Sequence, residues 1–274
     1  MLGSAMMKAL SNAQGMDVVG SIRSDAIRRH FSAPLSDRLF ILQDVLREQQ
    51  LVQAFDEIRP DAVINCISPS RAALTKQDPL QIIPICALLP HRLDRLCGEK
   101  GARLVHIGTD GVFSGSRGSY REDDVPDAVD VYGVSKHLGE PKSAHSITIR
   151  TSIIGHELRT SDGLLGWFLA QDKHCNCFSR AVFSGLPSVV LAQIIRDVVL
   201  PRPALTGVYH VAAEPITKCD LLRLIAKVYG KSIEIVPNDA VVVDRSLNAE
   251  RFREATGYVA PDWPTLIQTM HSSR

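Results

Sequence analysis

A tyrosine and a lysine four residues apart, preceded by a threonine, are the side chains of this sequence best suited to do chemistry. Tyr132 and Lys136 lie in the run YGVSK at 132–136, and Thr109 lies in GTD at 108–110. On a helix this spacing places Tyr132 and Lys136 on one face, one turn apart. A lysine ammonium beside a phenol favours the phenolate, so we expect the pKa of Tyr132 to fall below its ordinary value near ~10. Such a tyrosine can pass a proton to or from a carbonyl or hydroxyl oxygen that the Thr109 hydroxyl holds, which is the chemistry of ketone reduction by a hydride donor.

The surrounding pattern alternates strands and helices. It predicts strands at 17–20, 40–42, 62–67, 104–108 and 147–150, and a long helix over 80–98 with a kink or break at Pro90. Alternation of this kind predicts an α/β fold, a Rossmann-type doubly wound parallel sheet with helices on both faces. Ligands of such sheets bind at the carboxyl ends of the strands, where Asn65 and Thr109 lie.

The alternation of strands and helices becomes less regular after residue 152. We therefore predict a Rossmann domain over 1–152 and a smaller substrate-binding lobe over 153–274, interleaved with the first. The 274 residues carry a formal net charge of +1, which favours neither a nucleic-acid nor a membrane partner. The six cysteines show no zinc-site or disulfide pattern, so we expect free thiols, a cytoplasmic location and no metal.

Several runs together resemble a known family. The runs HIGTDGVFSG at 106–115, YRE at 120–122 and YGVSKHLGE at 132–140 resemble extended short-chain dehydrogenase/reductases, in the dTDP-4-dehydrorhamnose reductase-like branch. PDAVIN at 60–65 and GVYHVA at 207–212 are similar to the same branch. The resemblance implies a Rossmann fold, NADP or NAD as cofactor, and reduction of a 4-keto-6-deoxy nucleotide sugar.

The resemblance also implies roles for single residues. Thr109 would bind the substrate oxygen, Tyr132 would be the acid in reduction, and Lys136 would hold the nicotinamide ribose. The other cofactor-binding positions would be Gly3, Arg23, Asp44, Val45, Asn65, Ile67 and Ser68, and the other substrate-binding positions Asp110, Gly111 and Ser152.

Some of these positions have a simpler interpretation. The stretch 20–24 contains Arg23 and no acid, which favours NADP over NAD, although Arg23 could be a solvated loop residue. Asp44 and Asp110 could each serve a turn. We interpret His106, inside a predicted strand, as a packed structural residue.

The sequence departs from the family pattern in places. Gly111 stands where an aromatic residue normally faces the sugar, and Cys86 stands at the position of a relay asparagine. Gly3 corresponds to the third glycine of the phosphate loop, and the first strand and two earlier glycines have no counterpart in this sequence. We expect weak dinucleotide binding, and no shared neighbour for the strands around Val18 and Val63.

Other functions of the same fold stay open at this point. One alternative is a nucleotide-sugar epimerase or dehydratase. A dehydratase often has a second acid directly after the one at position 110, and this sequence has Gly111 there. Another is a non-catalytic NADP-binding regulatory subunit, which the intact Thr109, Tyr132 and Lys136 count against. A homodimer is a possible assembly.

Overall fold

The computed structural model describes residues 1–158 and 160–273, and helices alternate with strands through the first half of this range. The helices are α1 (Leu2–Ser11), α2 (Ala33–Ser36), α3 (Glu48–Ile58), α4 (Arg71–Lys76), α5 (Pro79–Ile83), α6 (Leu89–Lys100), α7 (Val131–Leu138), α8 (Leu164–Leu169), α9 (Ser188–Ile194), α10 (Lys218–Val228), α11 (Glu250–Thr256) and α12 (Trp263–Ser272). The strands are β1 (Gly20–Ile22), β2 (Leu39–Ile41), β3 (Ala62–Asn65), β4 (Arg103–Ile107), β5 (Ser146–Arg150), β6 (Ile153–Ile154), β7 (His174–Phe183), β8 (Leu186–Pro187), β9 (Gly207–His210), β10 (Ile216–Thr217) and β11 (Glu234–Asp244).

The main sheet is parallel, with its strands in the order β3-β4-β5-β9. Its central strands β4 and β5 are buried almost throughout, as expected for a parallel sheet covered on both faces. Strand β9 comes from beyond residue 153 and still pairs in parallel with β5. The predicted α/β fold with a parallel sheet is confirmed, and the later part of the chain completes the sheet of the earlier part.

Strands β1 and β2 pair with each other in a separate sheet. Among the described residues no strand lies between β1 and β3. This agrees with the expectation that the strands around Val18 and Val63 have no shared neighbour. The predicted strand at 17–20 was placed too early, because β1 begins at Gly20. Helix α1 links the two regions: its Leu2, Met6 and Leu10 lie in the main core and its Met7 packs with the β1–β2 pair.

The helix predicted over 80–98 is divided by a π-helical turn at Pro84–Leu88. Helix α5 precedes this turn and α6 follows it. Pro90 has no backbone N–H to donate to the carbonyl of Cys86, which explains a widened turn at this place. In place of the expected kink or break, the helical path continues through a π-helical turn, one turn before the proline.

The second part of the chain carries another sheet, ordered β10-β7-β11. The prediction of free thiols is wrong for two of the six cysteines, because Cys177 of β7 and Cys219 of α10 form a disulfide. Cys66, Cys86, Cys97 and Cys175 are free thiols. The bond joins a strand to the start of a helix 42 residues later, which stabilises the packing of α10 on this sheet.

Within the described ranges, none of the helices has both the length and the apolar character that a membrane crossing requires.

Candidate active site

Helix α7 carries Tyr132 and Lys136, and its approach to the sheet depends on two glycines. The Asp130 side chain caps its first turn by accepting from the N–H of Gly133. A Cβ on Gly133 would lie 2.3 Å from the carbonyl oxygen of Gly111, and a Cβ on Gly139 would lie 1.9 Å from that of Cys86. Neither position tolerates a side chain, so these glycines let α7 pack closely against the turn at Asp110–Val112 and against the π-helical turn.

Thr109 lies just past the end of β4 and faces the same space as Tyr132. Its hydroxyl accepts from the N–H of Gly111 at 3.0 Å and donates to Asp110 Oδ1 at 3.2 Å. A Cβ on Gly111 would lie 3.2 Å from Thr109 Oγ1 and 3.4 Å from the ring of Tyr132. The lack of a side chain at Gly111 therefore lets Thr109 and the Tyr132 ring pack closely on either side of it.

The structure corrects the expected tuning of the tyrosine, because the pKa of Tyr132 is raised rather than lowered. Burial is the main cause, and Cys86 and Asp110 act in the same direction. A hydrogen bond from the Thr109 side chain acts in the opposite direction. Tyr132 is thus a protonated phenol at neutral pH, and the lysine one turn away is directed elsewhere.

Lys136 is buried and turned towards the sheet. Its ammonium nitrogen lies 2.6 Å from the carbonyl oxygen of Ile107 and 3.4 Å from His106 Nε2. Burial lowers the pKa of Lys136, against weaker opposing effects of Cys86, Glu140 and Cys66. The pairing of this lysine with Tyr132 that the spacing predicts is replaced by contacts with β4.

Asp110 is the other titratable group beside Thr109. Burial raises its pKa to about 6, while Arg245, Thr109, Lys218 and Ser152 oppose the shift. Its carboxyl group therefore changes charge close to neutral pH. Ser152, which follows β5, also reaches this carboxyl with its side chain.

The residues predicted for a cofactor follow the ends of β1, β2 and β3. Arg23 is exposed and directly follows β1. Asn65 ends β3 and is buried, with partly buried Ile67 and exposed Ser68 after it. Gly3 lies in the first turn of α1, where an added Cβ would have Cys66 Cβ at 3.9 Å as its nearest neighbour.

The positions after β2 are arranged differently. Asp44 Oδ1 accepts from the N–H of Leu46 at 2.9 Å, which is the turn function considered for it from the sequence. Val45 packs half-buried against the core beneath α3 and α6. These contacts do not bring Asp44 or Val45 to Tyr132.

Two basic residues lie near the site, and little or nothing in the sequence indicates their position beside Asp110. Lys218 begins α10 and Arg245 follows β11, and both act on the carboxyl of Asp110. Within the described ranges, Arg245 Nε is buried and has no hydrogen-bond partner. The run 244–248 does offer a charge that could meet a diphosphate, but only the fold brings these distant parts of the chain to Asp110.

A parallel sheet that gathers threonine, tyrosine and lysine at its carboxyl edge defines a Rossmann-type protein of the short-chain dehydrogenase/reductase class. The chain belongs to the family described as RmlD substrate binding domain, whose model matches residues 1–270.

Named relatives agree with this family. The chain is 27% identical to the probable low-salt glycan biosynthesis reductase Agl14 of Haloferax volcanii, over 93% of this chain and 83% of the relative. It is 24% identical to the dTDP-4-dehydrorhamnose reductase of Escherichia coli, over 83% of this chain and 84% of the relative. The crystal structure of dTDP-4-dehydrorhamnose reductase from Bacillus anthracis in complex with NADP has a TM-score of 0.77 at 18% identity, covering 96% of this chain and all of that one, and shows the shared fold.

Proposed function

We propose that this chain is an NADP-dependent oxidoreductase that reduces the 4-keto group of a 4-keto-6-deoxy nucleotide sugar. The observation that carries the proposal is the close approach of Thr109 and the Tyr132 ring, which both pack against Gly111 at the carboxyl end of β4. The names of the relatives support the substrate class, since the Escherichia coli relative is a dTDP-4-dehydrorhamnose reductase.

The residues at the strand ends fit a dinucleotide. Helix α1 has no side-chain cap and carries open Gly3 in its first turn, so its N–H groups can face a diphosphate. Asn65 and Lys136 would hold the ribose and nicotinamide end, with Ile67 and Ser68 beside them. When bound, the reduced nicotinamide supplies a hydride.

Arg23 decides the proposed preference between the two cofactors. It is exposed at the carboxyl end of β1, where its guanidinium can meet a 2′-phosphate, and residues 20–24 include no acid for a free ribose hydroxyl. NADP is therefore the proposed cofactor and NAD the alternative. Asp44 and Val45 would lie on the adenine side.

Tyr132 would act as the acid. Its raised pKa keeps the phenol protonated at neutral pH, which is the form needed to give a proton to the oxygen that becomes the 4-hydroxyl. Thr109 would donate a hydrogen bond to the same oxygen and fix the carbonyl group. The developing negative charge on that oxygen would then be held between two hydroxyl groups.

The substrate end would be formed by the groups around Asp110. Lys218 and the unpaired Arg245 Nε supply positive charge for the diphosphate of a nucleotide sugar. Asp110, Gly111 and Ser152 would contact the sugar.

A panel assay tests the proposal. Purified protein is mixed with NADPH or NADH and with dTDP-4-keto-6-deoxy sugars, and cofactor oxidation and product are measured. Oxidation of NADPH that requires the keto sugar supports a reductase. Isomerised or dehydrated sugar with no net oxidation would mean an epimerase or dehydratase, and cofactor binding without turnover would mean a regulatory subunit.

The domain division at residue 152, the homodimer and the cytoplasmic location also stay proposals. The Cys177–Cys219 bond counts against the location, because disulfides are rare in reducing compartments. Thiol labelling of protein taken directly from cells measures whether this bond forms there.

A further inference from the structure

A line of hydrogen bonds joins the proposed acid to a carboxyl group beside it. The Thr109 side chain is hydrogen-bonded to Tyr132. Thr109 Oγ1 also lies 3.2 Å from Asp110 Oδ1. The line therefore runs from the phenol through one hydroxyl group to one carboxyl group. Each of these groups can donate a proton or accept one.

The backbone holds the middle of this line in place. The N–H of Gly111 donates to Thr109 Oγ1 at 3.0 Å. The N–H of Asp110 donates to the carbonyl oxygen of Thr151 at 3.2 Å, which ties Asp110 to the chain that follows β5. A hydroxyl oxygen has two lone pairs and one proton. Thr109 can therefore accept from Gly111 and from a protonated Asp110 while it donates to a third group.

The carboxyl group can take a proton from water before a substrate binds. Asp110 is partly exposed, whereas Thr109 is only 8% exposed. A substrate bound at the proposed site would cover both Asp110 and Tyr132. A proton already on the carboxyl group would then be enclosed with the substrate, two hydrogen bonds away from the phenol oxygen.

The charges around Asp110 decide when it holds that proton. Burial raises its pKa to about 6, and the charged groups that oppose the shift are Arg245 after β11 and Lys218 at the start of α10. Tyr132 of α7 is uncharged at neutral pH, because burial raises its pKa. The diphosphate proposed for this place would pair with Lys218 and Arg245. Their effect on the carboxyl group would then weaken, so Asp110 would hold its proton more firmly in the complex.

We propose that Asp110 returns a proton to Tyr132 through the Thr109 hydroxyl after each reduction. The inference rests on the proposed function, because Tyr132 must first give its own proton to the substrate oxygen. The O–H bond of Asp110 then breaks as a new O–H bond forms at Thr109 Oγ1, and the former Thr109 proton moves to the Tyr132 oxygen. Asp110 is left as a carboxylate and takes its next proton from water. No group is oxidised or reduced in this step.

Pre-steady-state kinetics tests this proton path. Asp110→Asn keeps an oxygen that can accept from Thr109 but has no acidic proton. Each Tyr132 begins as a protonated phenol, so the first turnover does not need the path and every later one does. With NADPH and a 4-keto-6-deoxy nucleotide sugar, we expect this variant to oxidise one NADPH per site at nearly the wild-type rate. A steady state slower by roughly 10²-fold should follow this burst, which is the size expected for the loss of a positioned proton donor.

Asp130→Asn is the matched control for the burst. The charge of Asp130 also acts on Tyr132, but its carboxylate accepts from the N–H of Gly133. Asparagine caps a helix as well as aspartate does, so this variant should show no burst. A merely structural role of Asp110 would slow the first turnover as much as the later ones. Equal slowing of both phases in Asp110→Asn, or slowing of neither, overturns the proposal.

A carboxyl titration tests the hydrogen-bonded path without any substrate. The ¹³C resonance of the Asp110 carboxyl group is followed with pH in ¹³C-aspartate-labelled protein, and its loss in Asp110→Asn assigns it. Thr109→Val removes a donor to the carboxylate, so the midpoint should rise by about one pH unit. The Thr151 hydroxyl bonds the carbonyl oxygen of Ser152, so Thr151→Val should leave the midpoint unchanged. An unchanged or lowered midpoint in Thr109→Val overturns the proposal.

The two tests separate this inference from the proposed function. If the wild type reduces none of the keto sugars, the reductase proposal fails and the use of the path fails with it, while the titration still shows whether the path exists. If the wild type reduces the sugar and Asp110→Asn shows no burst, the reductase proposal stands and the inference is overturned. If Thr109→Val does not fold, the burst decides.

Discussion

Two buried polar networks meet helix α7, and they differ in how their charges are paired. At the carboxyl end of the helix Glu140 accepts from Arg150 at 2.7 and 2.8 Å, and Arg150 contacts His210 at 3.3 Å. On the inner face, Lys136 Nζ lies 3.4 Å from His106 Nε2 and donates to the carbonyl oxygen of Ile107 at 2.6 Å. The first network pairs a cation with an anion, and the second leaves its one basic group without a carboxylate of its own.

The two networks therefore have different roles: the Glu140–Arg150 network stabilises the fold, and the Lys136 network belongs to the chemistry of the site. A buried pair with two short hydrogen bonds satisfies both charges and holds α7 against β5 and β9. A buried lysine without a counter-charge has a shifted pKa, and groups of this kind cluster at functional sites. We therefore expect changes in the first network to alter stability, and changes beside the second to alter turnover.

The largest expected effect is on turnover. Replacing Tyr132 with Phe removes the positioned acid and should lower kcat by roughly 10²–10⁴ while the protein stays folded. Tyr258→Phe is the matched control, because Tyr258 is a partly buried tyrosine that packs on Phe252 in α11. Steady-state rates and circular dichroism of both variants provide the comparison, and a near-normal kcat for Tyr132→Phe would remove it from the acid role.

The paired network should respond in stability. Glu140→Gln leaves Arg150 buried without its counter-charge and should cost about 3–5 kcal/mol of unfolding free energy. Glu48→Gln breaks the exposed pair with Arg95 and should cost about 0–1 kcal/mol. Urea unfolding measures both, and equal costs would show that the buried pair does not support α7.

A smaller effect is expected at the end of β1. Arg23→Ala should lower the preference for NADPH over NADH by on the order of 1.5–3 kcal/mol, the strength of a hydrogen bond to a charged group. Arg29→Ala, an exposed arginine of the following 3₁₀ turn, should leave the ratio of the two dissociation constants unchanged. The same ratio in Arg23→Ala and the wild type would exclude Arg23 from cofactor selection.

The last expected effect is a pH dependence of stability at Asp110. Its pKa is raised in the folded protein to about 6 from 3.8, so the folded state binds more protons than the unfolded state between these values. This group therefore makes stability fall as pH rises from about 4 to about 6. Asp110→Asn should remove that contribution, which urea unfolding at both pH values measures. An unchanged pH dependence would show that Asp110 is not perturbed.

The sequence predicts the fold well where local pattern decides it. The apolar runs of β3, β4 and β5, the position of Thr109 after β4 and the helix with Tyr132 and Lys136 all follow from periodicity and motif. Strand β7 was missed, because its half-exposed residues give no apolar run.

The remaining errors concern contacts between distant residues. The Cys177–Cys219 bond depends on strand and helix packing across 42 residues, which spacing does not encode. The direction of the Lys136 side chain depends on Ile107 and His106 in β4, so the raised pKa of Tyr132 could not be read from the four-residue spacing.

The central claim is that hydride reaches C4 of the sugar with Tyr132 as the acid. The direct measurement uses NADPH with deuterium at both C4 positions of the nicotinamide, a dTDP-4-keto-6-deoxy sugar, and NMR of the product. The account predicts one deuterium at C4 of the sugar in the wild type and almost none with Tyr132→Phe in the same time. Turnover without deuterium at C4, or equal labelling by both proteins, would contradict it.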